Sequence, residues 1–284
     1  FLNSTIENPG FDSQTKERLI TAPGKFGSKP VLNDKFIKKV IGLGLVDKVL
    51  SFAEFKDNKN AKKTDGSKKN KIQVPKLDDA NWAGTKKSDQ CTLILTEGDS
   101  AKTMAVGGLS VVGRDKYGVF PLRGKMLNVR DASMKQITDN AEITYLKKIL
   151  GLEVGKDYKD TSKLRYGKVM IMTDQDHDGS HIKGLVLNMF HSMWPSLMKL
   201  NYITSMITPI VKVSKGKAVK SFFNLTDYHS WIEKTSDYKK WNTKYYKGLG
   251  TSNATEAKEY FKIMKMNHYL FTDLTNESMN LAFN

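Results

Sequence analysis

Apolar residues recur along this chain with two different rhythms. Between 33 and 55, Phe36, Ile37, Val40, Val46, Val49, Leu50 and Phe52 return at helical spacing among lysines. Gly42 and Gly44 divide the stretch, so residues 31–55 read as a helical connector of two helices. Beyond residue 90 the pattern changes to short, continuous apolar runs separated by amphipathic stretches. CTLILT (91–96), YGVFPL (117–122) and KVMIMT (168–173) are of strand length and apolar on both faces. Helices are expected over 98–109, 133–150 and 180–199, the last through Ile182, Leu185, Val186, Met189, Phe190, Trp194 and Leu197. Doubly apolar strands alternating with helices predict an α/β fold with a parallel sheet. Further strands are expected at 205–213 and 219–225. The remainder, 226–284, reads as mostly helical, broken by the glycine-bearing basic loop KYYKGLGTS at 244–252.

Two stretches lack apolar rhythm. Residues 1–30 are rich in turn formers, with Pro9, Gly10, Pro23, Gly24, Gly27 and Pro30. Residues 56–71, KDNKNAKKTDGSKKNK, are almost wholly polar and predict a flexible basic linker reaching to about residue 90. Its lysines suit either solvation or contact with a polyanion.

Composition sharpens this picture. Hydrophobic residues make up 39% of the 284 and aromatics 10%, which supports real cores rather than disorder. Lys and Arg number 46 against 30 Asp and Glu, a formal net charge of +16. Such a charge favours nucleic acid, because basic side chains release its condensed counterions. Cys91 is the one cysteine, which excludes an internal disulfide and fits a reducing, intracellular compartment. No apolar run approaches the roughly 20 residues that span a bilayer, so no membrane partner is expected. The opening Phe-Leu-Asn-Ser, without an initiator Met, suggests a piece of a longer chain.

The chemistry concentrates in two acidic clusters. Glu97-Gly98-Asp99-Ser100 follows the first strand, and Asp174-Gln175-Asp176-His177-Asp178-Gly179-Ser180 follows the third. Parallel strands end at one sheet edge, where open α/β sheets bind ligands, so Glu97, Asp174 and Asp176 are expected to converge. Converging carboxylates raise one another's pKa unless a divalent cation joins them. Oxygen ligands without cysteine or a histidine pair suit Mg²⁺. Asp178 is a further ligand candidate or the cap of the following helix. His177 is expected to be exposed or outside the ligand set. Downstream of the second strand, Arg123, Lys125, Asn128 and Arg130 lie close together and suit phosphate contacts. Lys247 adds a cation beside Gly248 and Gly250, which permit close backbone approach to an anion. Trp231, Trp241, Tyr245 and Tyr246 read as local core.

Taken together, these motifs resemble the TOPRIM domain of topoisomerases, bacterial primases and some nucleases. PLRGKMLNVR (121–130) resembles the PLRGK-x-LNV motif of type IIA topoisomerases. TDQDHDGSHIKG (173–184) and KYYKGLGTS resemble the eukaryotic topoisomerase II branch. Asp12-Ser13-Gln14-Thr15-Lys16 resembles the QTK loop that ends the ATPase region of these enzymes. The resemblance implies a TOPRIM Rossmann-like sheet over 91–208, an α-rich extension over 209–284 leading to a winged-helix domain, and the tail of a transducer domain over 1–30. It implies that Glu97, Asp174 and Asp176 hold Mg²⁺, with Mn²⁺ or Ca²⁺ as substitutes. It implies DNA contacts from Lys125 and Asn128, and a drug pocket at Asp99 and Arg123. Gln14, Thr15 and Lys16 would contact ATP bound in another domain. The intact enzyme would be a nuclear homodimer that cleaves, passes and rejoins double-stranded DNA. Its nucleophilic tyrosine would lie outside this chain, leaving the fragment alone inactive. A different TOPRIM enzyme (primase or nuclease) and a non-catalytic DNA-binding module are the alternatives.

Overall fold

The computed structural model describes residues 5–27, 29 and 31–283; Pro30, among the expected turn formers, lies outside them. The chain divides into two compact units, residues 1–55 and 56–284.

In the first unit, Phe11 and Leu19 form an antiparallel bridge, closing a tight loop that presents Gln14, Thr15 and Lys16 to solvent. Helix α1 (Asp34–Ile41) starts at Asn33, whose Oδ1 accepts from the Phe36 N–H at 2.8 Å. It stops at Gly42, and Gly44 takes a positive φ of 67° before α2 (Leu45–Lys62) begins. The expected pair of helices is present, but the second runs on past 55, and the second unit begins within it.

In the second unit, residues 56–90 overturn the expectation of a flexible linker. They remain helical to Lys62, and residues 64–90 then form a strap bound to the body of the unit. Buried Lys147 holds one end, donating to Ala61 O at 2.9 Å and Thr64 Oγ1 at 2.7 Å and pairing with Asp65 at 2.9 Å. Burial, only partly opposed by Asp65, lowers the Lys147 pKa. Arg165, wholly buried, holds the middle. It donates to Lys69 O at 2.6 Å and Ile149 O at 2.7 Å, and pairs with Asp79. Tyr166 Oη donates to the same carboxylate at 2.5 Å and accepts from the Ala80 N–H at 2.9 Å.

The body follows the predicted alternation. Strands β1 (Thr92–Glu97), β2 (Tyr117–Leu122), β3 (Lys168–Met172) and β4 (Ile203–Met206) are parallel, in the order β2-β1-β3-β4. Helix α3 (Gly98–Val112) follows β1. Helices α4 (Met134–Asp139) and α5 (Ala141–Leu150) precede β3; α6 (His177–Met193) and α7 (Pro195–Lys199) follow it. The strand residues sort by parity. Leu93, Leu95, Val169 and Ile171 join one buried cluster with α5 and α6, while Ile94, Met170 and Met172 join a second with α3. Burial on both faces explains why these strands read as unbroken apolar runs.

The extension holds more strand than the expected helical content allowed. Strands β5 (Val211–Lys215), β6 (Ala218–Phe222) and β7 (Asn242–Tyr245) form an antiparallel sheet in the order β6-β5-β7. Helix α8 (Leu225–Lys234) packs Tyr228 and Trp231 into a small core with Val211, Val213 and Phe222. Tyr245 is exposed and Tyr246 half-buried, so of the four aromatics expected as core only Trp231 and Trp241 join this cluster. Helix α9 (Ala254–Ile263) returns to the main sheet against α3, β8 (Met266–His268) pairs antiparallel to β4, and α10 (Thr275–Phe283) follows.

Candidate metal centre

The parallel register brings the strand ends together. Glu97 closes β1 opposite Leu122 of β2, and Asp174 lies just past the end of β3. Although 77 residues apart, Glu97 Oε2 accepts from the Asp174 backbone N–H at 3.3 Å. Partial burial raises the Glu97 pKa. The hydrogen bond from Asp174 opposes that rise, and the nearby charges of Asp174, Asp176 and Asp178 add to it. Of the three acids expected to converge, Glu97 and Asp174 are in direct contact, and the charge of Asp176 reaches Glu97.

Their oxygens are engaged by other groups. Asp174 Oδ1 accepts from the Leu249 N–H at 2.7 Å. Asp176 is the N-cap of α6, accepting from the Gly179 N–H at 2.8 Å. That corrects the expectation that placed a cap at Asp178. Asp178 instead pairs with Lys125 at 2.9 Å, and this neighbour lowers its pKa. Among the described residues, no group of three or more His, Cys, Asp or Glu side chains stands close enough together to hold a metal ion as the side chains now lie. The donor set is nonetheless the hard, all-oxygen kind that divalent cations of the Mg²⁺ class prefer. Asp176 and Asp178 are both exposed. His177 is exposed, as expected.

A cleft of about 310 Å³ adjoins the acids, lined by Lys76, Glu97, Gly98, Asp99, Pro121, Leu122, Arg123 and Gly124. Asp99 and Arg123 thus share one cavity. Arg123 leaves its side chain exposed while its backbone N–H donates to Glu142 at 2.7 Å. Lys76 of the strap pairs with Asp99 at 2.5 Å. No periodicity flagged Lys76, which reaches the cleft because the strap is bound down. Lys183, on the second turn of α6, is a second cation missed from sequence. Burial lowers its pKa, opposed by Asp176 and Glu97.

The other predicted contact residues are divided. Lys125 and Lys247 are exposed. Asn128 and Arg130 are turned inward instead. Asn128 Oδ1 accepts from Asn188 at 2.7 Å, and its amide donates to Asp131 at 2.6 Å. Arg130 donates to Asn188 Oδ1 at 2.9 Å, contacts His191 Nδ1 at 3.1 Å and bonds Asn280 of α10. In this structure both serve to seat α10. Gln14, Thr15 and Lys16 belong to the first unit, where Thr15 Oγ1 lies 2.8 Å from Ser13 Oγ.

Known proteins match this chain closely. The profile of the Toprim domain matches residues 92–209, and that of the C-terminal associated domain of TOPRIM matches 206–284. The chain is 57% identical to human DNA topoisomerase 2-alpha over 276 residues, covering 95% of this chain and 18% of that protein. It is 58% identical to the DNA topoisomerase 2 of Caenorhabditis elegans over 268 residues (92% and 18%), and 53% to that of Drosophila melanogaster over 290 (100% and 20%). The DNA-binding, cleavage and re-ligation domain of Plasmodium falciparum topoisomerase II superposes with a TM-score of 0.73. That match is at 53% identity and covers 76% of this chain and 30% of that one. The chain thus spans about a fifth of its full-length relatives.

Proposed function

Since the chain belongs to the eukaryotic DNA topoisomerase II family, we propose that it supplies the divalent-cation centre and part of the DNA seat of an ATP-dependent type II topoisomerase. The observation that carries this reading is the meeting of Glu97 and Asp174 at the sheet edge, with Asp176 and Asp178 close enough to raise the Glu97 pKa. Glu97, Asp174 and Asp176 are the proposed ligands, and Mg²⁺ is the proposed ion. When bound, it would neutralise charge on phosphate oxygens during transesterification. Lys125 stands 2.9 Å from Asp178 at this edge, so a DNA phosphate would compete for its ammonium once a cation satisfies the carboxylates. Arg123, lining the cleft, is the proposed contact for a phosphate on the neighbouring side. The tyrosine that attacks DNA and the ATP pocket addressed by Gln14, Thr15 and Lys16 are assigned to regions beyond these residues. Homodimerisation, duplex passage and a nuclear location belong to the same proposal; the described helices include none long and apolar enough to cross a membrane.

The test separates charge from capping. Asn is as good an N-cap as Asp, so Asp176→Asn keeps α6 started while removing one negative charge from the centre. Titration calorimetry with Mg²⁺ is expected to show affinity falling by roughly tenfold or more, with the melting temperature unchanged. An isotherm identical to that of the unaltered chain defeats the assignment.

A further inference from the structure

The carboxylate that belongs to the main sheet is aimed by a loop from the extension. Asp174 lies in the Toprim region, yet its Oδ1 takes the Leu249 N–H at 2.7 Å. On the other oxygen, a Cβ placed on Gly248 would stand 2.2 Å from Oδ2. Gly248 has an extended backbone (φ −173°, ψ 174°) that any residue adopts, so the glycine answers to space and not to conformation. The carbonyl side of Asp174 is equally confined, since a Cβ on Gly179 would lie 2.1 Å from Asp174 O.

The loop is itself held firmly. Leu249 is 3% exposed and packs in the cluster of Ala101, Met104, Ala257 and Phe261. At its base the Tyr246 N–H donates to Ile210 O at 2.9 Å and the Tyr246 hydroxyl to Glu256 at 2.5 Å. Lys244 reaches both oxygens of the same buried Glu256, at 2.9 and 2.8 Å. These bonds fix where the Leu249 amide points.

We propose that Gly248 and the backbone amide of Leu249 are positioning groups for Asp174, so that the cation centre is completed by the extension and not by the Toprim sheet alone. The inference rests on the metal-centre reading above. Asp174 stands among Glu97 and Asp176, whose charges push its carboxylate away. An N–H dipole on one oxygen and a glycine backbone against the other oppose that push, holding the group in one orientation before a cation arrives. Such outer contacts govern affinity because a ligand that is already oriented loses little freedom on binding.

The 284-residue chain is titrated with Mn²⁺, free ion being read by electron paramagnetic resonance and folding by circular dichroism. Gly248→Ala is expected to raise the Mn²⁺ dissociation constant roughly tenfold or more. Gly250→Ala, in the same loop but with open space at its Cβ, is expected to leave it unchanged. Leu249→Pro removes the N–H at the first position of a short 3₁₀ turn, which tolerates proline after an extended residue. It is expected to weaken binding in the same sense beyond any change in Leu249→Ala, which removes the same buried side chain but keeps the N–H, and this pair carries the test if Gly248→Ala does not fold. Folded variants that keep the parent affinity, or a Gly250→Ala loss equal to that of Gly248→Ala, overturn the positioning role. Absence of Mn²⁺ binding in the parent chain defeats the metal centre itself, a different failure.

Discussion

Helix α1 and the first part of α2 carry Phe36, Ile37, Ile41, Val46, Val49, Leu50, Phe52 and Phe55, and every one of these is exposed. The strap at 64–90 has more charged residues than hydrophobic ones. It is nevertheless bound down, by Lys147 and Arg165 from beneath and by Ala80 and Ala83, which are buried. The contrast shows that a helical repeat specifies a helix without supplying the second surface that buries it. It also shows that a lysine-rich segment becomes ordered when a few buried donors find its carbonyl groups. Directional bonds add here to the packing of Ile72, Val74, Leu77 and Trp82 against the core, and they work because wholly buried Arg165 offers a fork of donors.

The strongest way to break this contrast is Arg165→Met. The substitution preserves bulk but takes the guanidinium from three backbone carbonyls of the second unit and leaves Asp79 with the Tyr166 hydroxyl and no cation. A loss of about 3–5 kcal/mol is expected in urea unfolding, with new protease cleavage inside 64–90. A loss below about 1 kcal/mol would mean that the strap is held by its apolar residues. Lys147→Met tests the other anchor. Asp65 keeps a partner in the Val154 N–H at 3.0 Å, so a smaller cost of about 1–3 kcal/mol is expected, together with faster amide exchange at 64–66. Unchanged exchange there would assign the anchoring to Arg165 alone. The smallest effect sharpens the comparison from the opposite side. Phe52, 69% exposed on α2, is expected to tolerate Phe52→Ser within about 0.5 kcal/mol. A larger loss on unfolding would show that this face is buried in solution.

Much of the main sheet was legible because its strands are buried on both faces. CTLILT and KVMIMT declare themselves by composition, and the observed strands differ from the predicted spans by a residue at most. The acids were legible for the same reason, since strand ends in a parallel sheet share an edge and Glu97 and Asp174 end neighbouring strands. Strand β7 was not legible. Asn242–Tyr245 is exposed along its whole length and offers no alternation to read. The strap was missed because its partners, Lys147 and Arg165, lie some 80 to 100 residues away in sequence. Nor does spacing reveal which of two aspartates caps a helix. Asp176 and Asp178 flank the start of α6 alike, and only the Gly179 N–H decides between them. The inward turn of Asn128 and Arg130 likewise depends on Asn188 and Asn280, which no local pattern connects to them.

Strand β2 lies at the rim of the five-stranded sheet. Its outer side would offer unpaired amides as a template for other chains. Asp78 of the strap forms a single antiparallel bridge there, exchanging both backbone bonds with Val119 at 2.9 and 2.8 Å. At the opposite rim, β8 is three residues long. The ordered lysine-rich strap is therefore also a guard against aggregation, and a chain shortened to begin at β1 would be expected to self-associate through the rim that Asp78 now covers.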